Sequence, residues 1–304
     1  MPSVRELRGR IRSVQNIQKI TAAMKLVAAA RQKKAQDRVN AARPYAEKIV
    51  KVMHELAAST GGNTAAVFAE SDISTPASRE AEELLRSRPI NVQGLFVVSG
   101  ERGLCGSYNA NVQRRAMEAI RGLPRENVVI VVVGKKAAAF FQKRGYRIVH
   151  AESMPASSVP FSLAAQVGQV IRRLYTSGEV DGVEMVYTRS LSAMSQRPTA
   201  QTLLPVQIEK EATVSGPSAT YIFEPTAPEL LGSLVPRYIN SVIYQALLES
   251  NAGEHGARMI AMSSATDNAS DLVKRLTLLS NRARQAGITK ELLEIVAGAE
   301  ALKG

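Results

Sequence analysis

From about Pro228 to Leu302 the sequence reads as one unbroken helix, with Pro236 in its early turns and Gly253, Gly256 and Gly287 inside. Nothing else in the chain constrains the fold as much. At a rise of 1.5 Å per residue such a helix is roughly 110 Å long, more than a compact domain of this chain length can bury. Between Ser263 and Gly287, "SSATDNASDLVKRLTLLSNRARQAG" has neither proline nor aromatic residue. Met262, Ala265, Ala269, Leu272, Leu276, Leu279, Ala283 and Ala286 step alternately by three and four, which is the heptad pattern of a left-handed coiled-coil seam. Four of these eight positions are alanine, so a partner helix can approach closely.

The partner is at the other end of the chain. From Ser3 to about Ala58 the one proline is Pro44, where a kink is expected, and the one glycine is Gly9. That helix is roughly 80 Å long. Its apolar residues Val4, Leu7, Ile11, Val14, Ile17, Ile20, Met24 and Val27 form one narrow stripe, flanked by Arg5, Arg8, Arg12, Lys19 and Lys25. Two narrow-striped helices at opposite ends predict an antiparallel coiled coil projecting from the domain between them.

That intervening domain reads as α/β. Short β-branched runs, "GLFVVSG", "NVVIVVVG" and "GVEMVYT", alternate with helical stretches near 108–122, 135–144 and 161–177, as βαβ units and a parallel sheet require. "TAQTLLPV" is a further candidate strand. The fold class is thus α/β, a long antiparallel coiled coil plus a central Rossmann-like parallel-sheet domain. The expected divisions are 1–58 for the N-terminal helix, 59–90 for a Ser/Thr/Gly-rich linker, 91–227 for the body and 228–304 for the C-terminal helix.

Charge and composition narrow the function. The chain carries a net charge of +12, and residues 1–51 hold 13 Lys and Arg against Glu6, Asp37 and Glu47. So focused an excess predicts an acidic partner: nucleic acid, anionic lipid or an acidic protein surface. "RQKKAQDR", Arg31–Arg38, is either a solvated face or part of that contact. A nucleic-acid site would call for stacking aromatics, and the basic segment has only Tyr45. No apolar run reaches the roughly 20 residues that span a bilayer, and the N-terminus lacks the apolar centre of a signal peptide, so a soluble, retained chain is expected.

Chemistry-bearing motifs are sparse. In "VVSGERGLCGSYNANVQRR" the glycines at 100, 103 and 106 follow a strand and open a helix, but their spacing matches neither phosphate-binding fingerprint, so a tight packing turn is expected. The single cysteine, Cys105, lies in that loop. His54, His150 and His255 fall on different predicted elements, which leaves Cys105 without a base and a metal without ligands. A structural thiol, no metal and no cofactor are expected. Gly253 and Gly256 each cost roughly 1 kcal/mol in a helix interior and suggest a compliant joint. Beyond Ala286, "GITKELLEIVAGAEAL" turns apolar on several faces, which predicts a helix tip enclosed by other chains.

Taken together, "IRSVQNIQKITAAMKLVAAAR", "ERGLCGSYN" and "ARMIAMSSATDNASDLVKRLTLLSNRARQAGITKELLEIVAGA" resemble, from end to end, the gamma subunits of F-type ATP synthases. The resemblance implies a central rotor shaft without catalytic residues. Three alpha and three beta subunits would surround the coiled coil, with an epsilon-type subunit and the ring of membrane-embedded c subunits at its foot. Rotation driven by proton flow would force the three beta sites through different conformations. Met24, Lys25 and Arg258 would face an acidic lever loop of beta, while Arg284 and Gln285 would meet a second contact higher in the sleeve. The implied location is peripheral, on the cytoplasmic face of a bacterial inner membrane, with no span and no nucleic acid. Chloroplast-type members carry an inserted cysteine pair after the "TLLP" strand; the cysteine-free "VQIEKEATVSGPSATYIFEPTAP" implies no thiol regulation.

Overall fold

A computed structural model describes residues 3–59, 68, 75–155, 158–192, 195–207 and 226–301. Most of the stretch after the "TLLP" strand therefore lies outside the described residues. The elements, in chain order, are α1 Val4–Ser59, α2 Pro76–Leu85, β1 Gln93–Val98, α3 Tyr108–Ala119, β2 Val128–Val133, α4 Lys135–Gln142, β3 Arg147–Glu152, α5 Phe161–Thr176, β4 Gly182–Ser190, β5 Gln196–Leu204 and α6 Ala227–Ala301. The two terminal helices run to 56 and 75 residues, and α1 continues through Pro44 as helix.

Contacts divide the chain into two compact units, Met1–Ala29 with Arg258–Gly304, and Ala30–Ala257. The divisions fall inside the long helices, not at their ends. Ala35, Val39, Ile49, Met53 and Leu56 of α1, and Leu231, Val235, Ile239, Ile243 and Leu247 of α6, are buried in the core of the larger unit. These stretches are part of the body because their apolar faces are needed to cover the sheet.

The sheet order is β3-β2-β1-β4-β5. The first four strands are parallel, as the βαβ alternation predicts, and β5 pairs antiparallel with β4 at the edge. Side chains alternate across the sheet. Phe96 and Val98, with Val129, Val131 and Val133, face one core beneath α1, α2, α5 and α6. Leu95 and Val97, with Val128, Ile130 and Val132, face a second core beneath α3 and α4. Burial on both faces explains why β1 and β2 read as unbroken apolar runs.

Two elements depart from the sequence reading. β3, "RIVHAE", is an edge strand of mostly half-buried residues, and it lacks the apolar run that identified its neighbours. Within the expected linker, α2 starts where Thr75 accepts a hydrogen bond from the Ser78 amide at 3.2 Å, with Pro76 in the first turn. Thr-Pro is a helix-start signal that the surrounding Ser/Thr texture obscured. Ser78, Ala81 and Leu84 then anchor it.

Candidate functional site

The smaller unit pairs the start of α1 with the end of α6. On α1, Leu7, Thr21 and Ala28 are buried, and Val4, Ile11, Val14 and Gln18 are half-buried. On α6 the inward positions are Met262, Thr266, Ala269, Val273, Leu276, Ser280 and Ala283. Both sets follow a spacing of three and four, that of α1 skipping the exposed Lys25 between Thr21 and Ala28. Thr266 Oγ1 lies 2.8 Å from Thr21 Oγ1, fixing one layer. In antiparallel register that layer places Gln18 with Ala269, Val14 with Val273, Ile11 with Leu276, Leu7 with Ser280 and Val4 with Ala283. Six inward pairs then meet, from Thr21 with Thr266 to Val4 with Ala283; Ala28 and Met262 lie beyond them, Met262 opposite the exposed Lys25. A parallel register would set the buried Leu7 against residues of the other unit.

The coiled coil is therefore as expected, but its seam is turned. The expected stripe and the observed one agree at Val4, Leu7, Ile11 and Val14, then separate. Gln18, Thr21 and Ala28 lie inward, whereas Ile17, Ile20 and Val27 are exposed, Ile20 by 59%. On α6, Leu272 and Leu279 are exposed and Val273 and Ser280 replace them in the seam. The reason is helical phase. Inward positions recur through Gln32, Ala35, Val39, Ala42, Ala46, Ile49, Met53 and Leu56, so α1 keeps one heptad phase from Val4 to Leu56. Turning Ile17 and Ile20 inward would break that alternation of three and four, since each stands one position before Gln18 and Thr21. A strict repeat carried through residues 28–56 is the signal that could have found this face.

As a result, large apolar side chains stand outward. Ile17, Ile20, Leu26 and Val27 on α1, and Leu272, Leu278 and Leu279 on α6, are exposed and interspersed with basic groups. Beyond Ala283, α6 has passed the start of α1, and Ile288, Leu292, Leu293, Ile295 and Val296 are all exposed. Exposed apolar surface of this extent marks an interaction site.

All five site residues expected from the sequence fall in this unit. Met24 and Arg258 are half-buried and Lys25 is exposed. In the antiparallel register Arg258 lies opposite Ala29, about one helical turn from Lys25. Arg284 and Gln285 are exposed beside the first residues of α1. The two groups are separated by 26 residues of α6, about 39 Å. They stand at two levels of the paired helices, not in one site.

In the larger unit, the glycine loop after β1 has the packing role its spacing suggested. The Gly100 amide donates to Asn109 Oδ1 at 3.0 Å, and a Cβ there would lie 2.8 Å from that oxygen and 3.1 Å from the Glu254 carboxyl carbon. Cys105 is buried, with Asn109 Nδ2 3.2 Å from its sulfur. Glu101 accepts from the Lys135 and Met154 amides, both at 3.2 Å, and pairs with Lys135 Nζ at 2.8 Å. Burial alone would raise its pKa, but these donors outweigh it and hold the carboxyl below its ordinary value. Thus the first amide of α4, at a natural place for an external anion, already holds a carboxylate of the chain itself.

The crevice at the carboxyl ends of β1 and β4, where doubly wound sheets bind ligands, is likewise filled from within. The Tyr108 hydroxyl donates to the Ser250 carbonyl at 2.9 Å, and the Thr188 amide donates to Ser250 Oγ at 3.1 Å. Burial, and then the charge of Glu254, push the Tyr108 phenol well above its ordinary pKa, so it remains a donor. A Cβ on Gly253 would stand 3.1 Å from Thr188 Cγ2. Gly253 therefore serves the close approach of helix to strand. Among the described residues, no three His, Cys, Asp or Glu gather as metal ligands, and no helix is long and apolar enough to cross a membrane.

A family model described as ATP synthase matches residues 3–302. The ATP synthase gamma chain of Desulforamulus reducens is 42% identical over 303 residues, covering all of both chains. That of Heliobacterium modesticaldum is 42% identical over 308 residues, covering 99% of this chain and 100% of the relative. Among solved structures, a chain of the Euglena gracilis mitochondrial ATP synthase superposes with a TM-score of 0.66 at 19% identity, covering 98% of this chain and 94% of that one. A chain of the Tetrahymena thermophila central stalk and c-ring gives 0.56 at 22%, covering 81% and 99%.

Proposed function

The chain belongs to the ATP synthase gamma-chain family, and from that premise we propose that it is the central rotating shaft of a proton-translocating F-type ATP synthase. In this role it performs no bond chemistry. Three alpha and three beta subunits surround the paired helices. The α/β body sits with an epsilon subunit and the c ring, peripheral to the cytoplasmic face of a bacterial inner membrane. The observation that carries the reading is the turned seam: the coiled coil buries Thr21 and Ser280 and half-buries Gln18 while presenting Ile17, Ile20, Leu272 and Leu279 outward, and α6 ends in an exposed apolar tip.

The physical basis of coupling is differential contact. A shaft can bias a beta site only if it touches that site's alternative conformations unequally. Two antiparallel helices lack threefold symmetry, so three identical neighbours meet three different faces. Met24, Lys25 and Arg258 form the lower contact, facing an acidic loop of beta, and Arg284 and Gln285 the upper one. The test is Lys25→Ala with Arg258→Ala in the assembled complex. Subunits should still co-purify, while ATP-driven proton pumping per ATP hydrolysed falls. Full pumping in that variant removes these residues from the mechanism. Failure of the tagged wild-type chain to bring alpha and beta subunits down from native membranes defeats the shaft reading altogether.

A further inference from the structure

We propose that Ser250 and Gly253 of α6, with Tyr108 of α3 and Thr188 of β4, form a torsional lock through which the sheet body grips the helix that leaves it. The proposal rests on the shaft reading, because a lock against twist matters only if twist is transmitted. It concerns the body unit and α6, which continues from it through Arg258 to Ala301.

A shaft must not turn within its own hub. Most of the body's hold on α6 is apolar: Leu231, Val235, Ile239, Ile243, Ala246 and Leu247 are buried among aliphatic neighbours. Such close-packed contacts already oppose rotation of the helix, but they are non-directional, and directional bonds stiffen the hold further. Hydrogen bonds are directional and weaken steeply with angle and distance. At Ser250 two of them meet on one residue from two different elements: Tyr108 Oη reaches its carbonyl at 2.9 Å and the Thr188 amide reaches its hydroxyl at 3.1 Å. Ser250 is 1% exposed, and Tyr108 and Thr188 are also buried, so water does not compete.

Gly253 completes the arrangement. Three residues on, it lies on the same face of the helix as Ser250. Thr188 Cγ2, the Gln196 side chain and Tyr108 Cε2 stand 3.1, 3.5 and 3.6 Å from where its Cβ would be. A side chain there would crowd Thr188, which must give by a few tenths of an ångström for α6 to keep its approach to β4. With backbone atoms about 2.3 Å from the helix axis, a twist of about 30° would carry the Ser250 backbone about 1.2 Å, enough to break a 2.9 Å bond. The lock also explains why the crevice after β1 and β4 is filled by a helix.

The test uses the assembled complex with Tyr108→Phe and Ser250→Ala, which delete both bonds and leave the volumes nearly unchanged. Angular fluctuation of a probe on the body side is measured with the catalytic ring stalled. Loss of two directional contacts should raise the angular variance about twofold. Tyr108→Phe alone should give an intermediate value, and Ser250→Thr, which keeps the hydroxyl, should restore the wild-type value in the Tyr108 background. A lower melting temperature with unchanged variance overturns the lock, since it marks a residue that only stabilises the fold. Wild-type complexes showing no ATP-driven rotation overturn the shaft reading itself, and the lock with it.

Discussion

The antiparallel register hangs on one layer, Thr21 against Thr266, two residues 245 apart in the chain. A double-mutant cycle with valine at each position tests it. Thr21 Oγ1 is 3.0 Å from the Gln18 carbonyl, Thr266 Oγ1 is 2.7 Å from the Met262 carbonyl, and the two oxygens are 2.8 Å apart. Two hydroxyl hydrogens must serve three such contacts, so one hydroxyl donates across the seam and gives up its own carbonyl. In either single variant the remaining hydroxyl returns to its own helix, but its lone pairs face a new methyl group in a seam where Thr21 is 9% exposed. That half-satisfied state should cost about 1 kcal/mol. In the double variant no lone pair is stranded, and two methyl groups are buried at about 0.8 kcal/mol each, which offsets the lost bonds. The expected coupling energy is about 1–2 kcal/mol, with the double variant close to wild type. Hydrogen exchange of the amides in residues 4–29 measures the opening free energy of this unit specifically. A coupling below about 0.3 kcal/mol, within ordinary additivity scatter, would refute the register.

Three further outcomes are expected. Leu272→Ala and Leu279→Ala should leave the isolated chain within about 0.5 kcal/mol of wild type, and Val273→Ala with Leu276→Ala should lower opening free energies in the paired helices by about 1–2 kcal/mol; the reverse order would restore the seam expected from sequence. Gly232→Val should destabilise the body by about 1–3 kcal/mol, read as lost exchange protection in α2, because a Cβ there would stand 3.0 Å from the Ala77 and Ser78 backbone. Glu101 has a lowered pKa in the fold, so its contribution is present above the ordinary value of 4.5 and is lost as pH falls through the folded value. Glu101→Gln should therefore lower stability at neutral pH and flatten the acid limb of a stability–pH profile; parallel limbs in both proteins would show that the carboxylate is not held by Lys135 and Met154.

What the sequence determined by itself was everything carried by local periodicity. The lengths of α1 and α6, their coiled-coil spacing, and β1, β2 and β4 follow from apolar residues repeating at intervals of three and four or in runs between glycines. β3 escaped because an edge strand need not be apolar, and α2 because its start signal sat in a Ser/Thr-rich stretch. The five contact residues were legible only through family motifs, since no local rule distinguishes Lys25 from Lys19. Tertiary structure decided which of two adjacent faces turns inward. Ile17 and Ile20 are better seam residues than Gln18 and Thr21 by hydrophobicity alone. Gln18 and Thr21 take the seam because they continue the alternation of three and four begun at Val4 and meet Ala269 and Thr266 of the partner helix, whereas a second step of three, to Ile17, turns off that face.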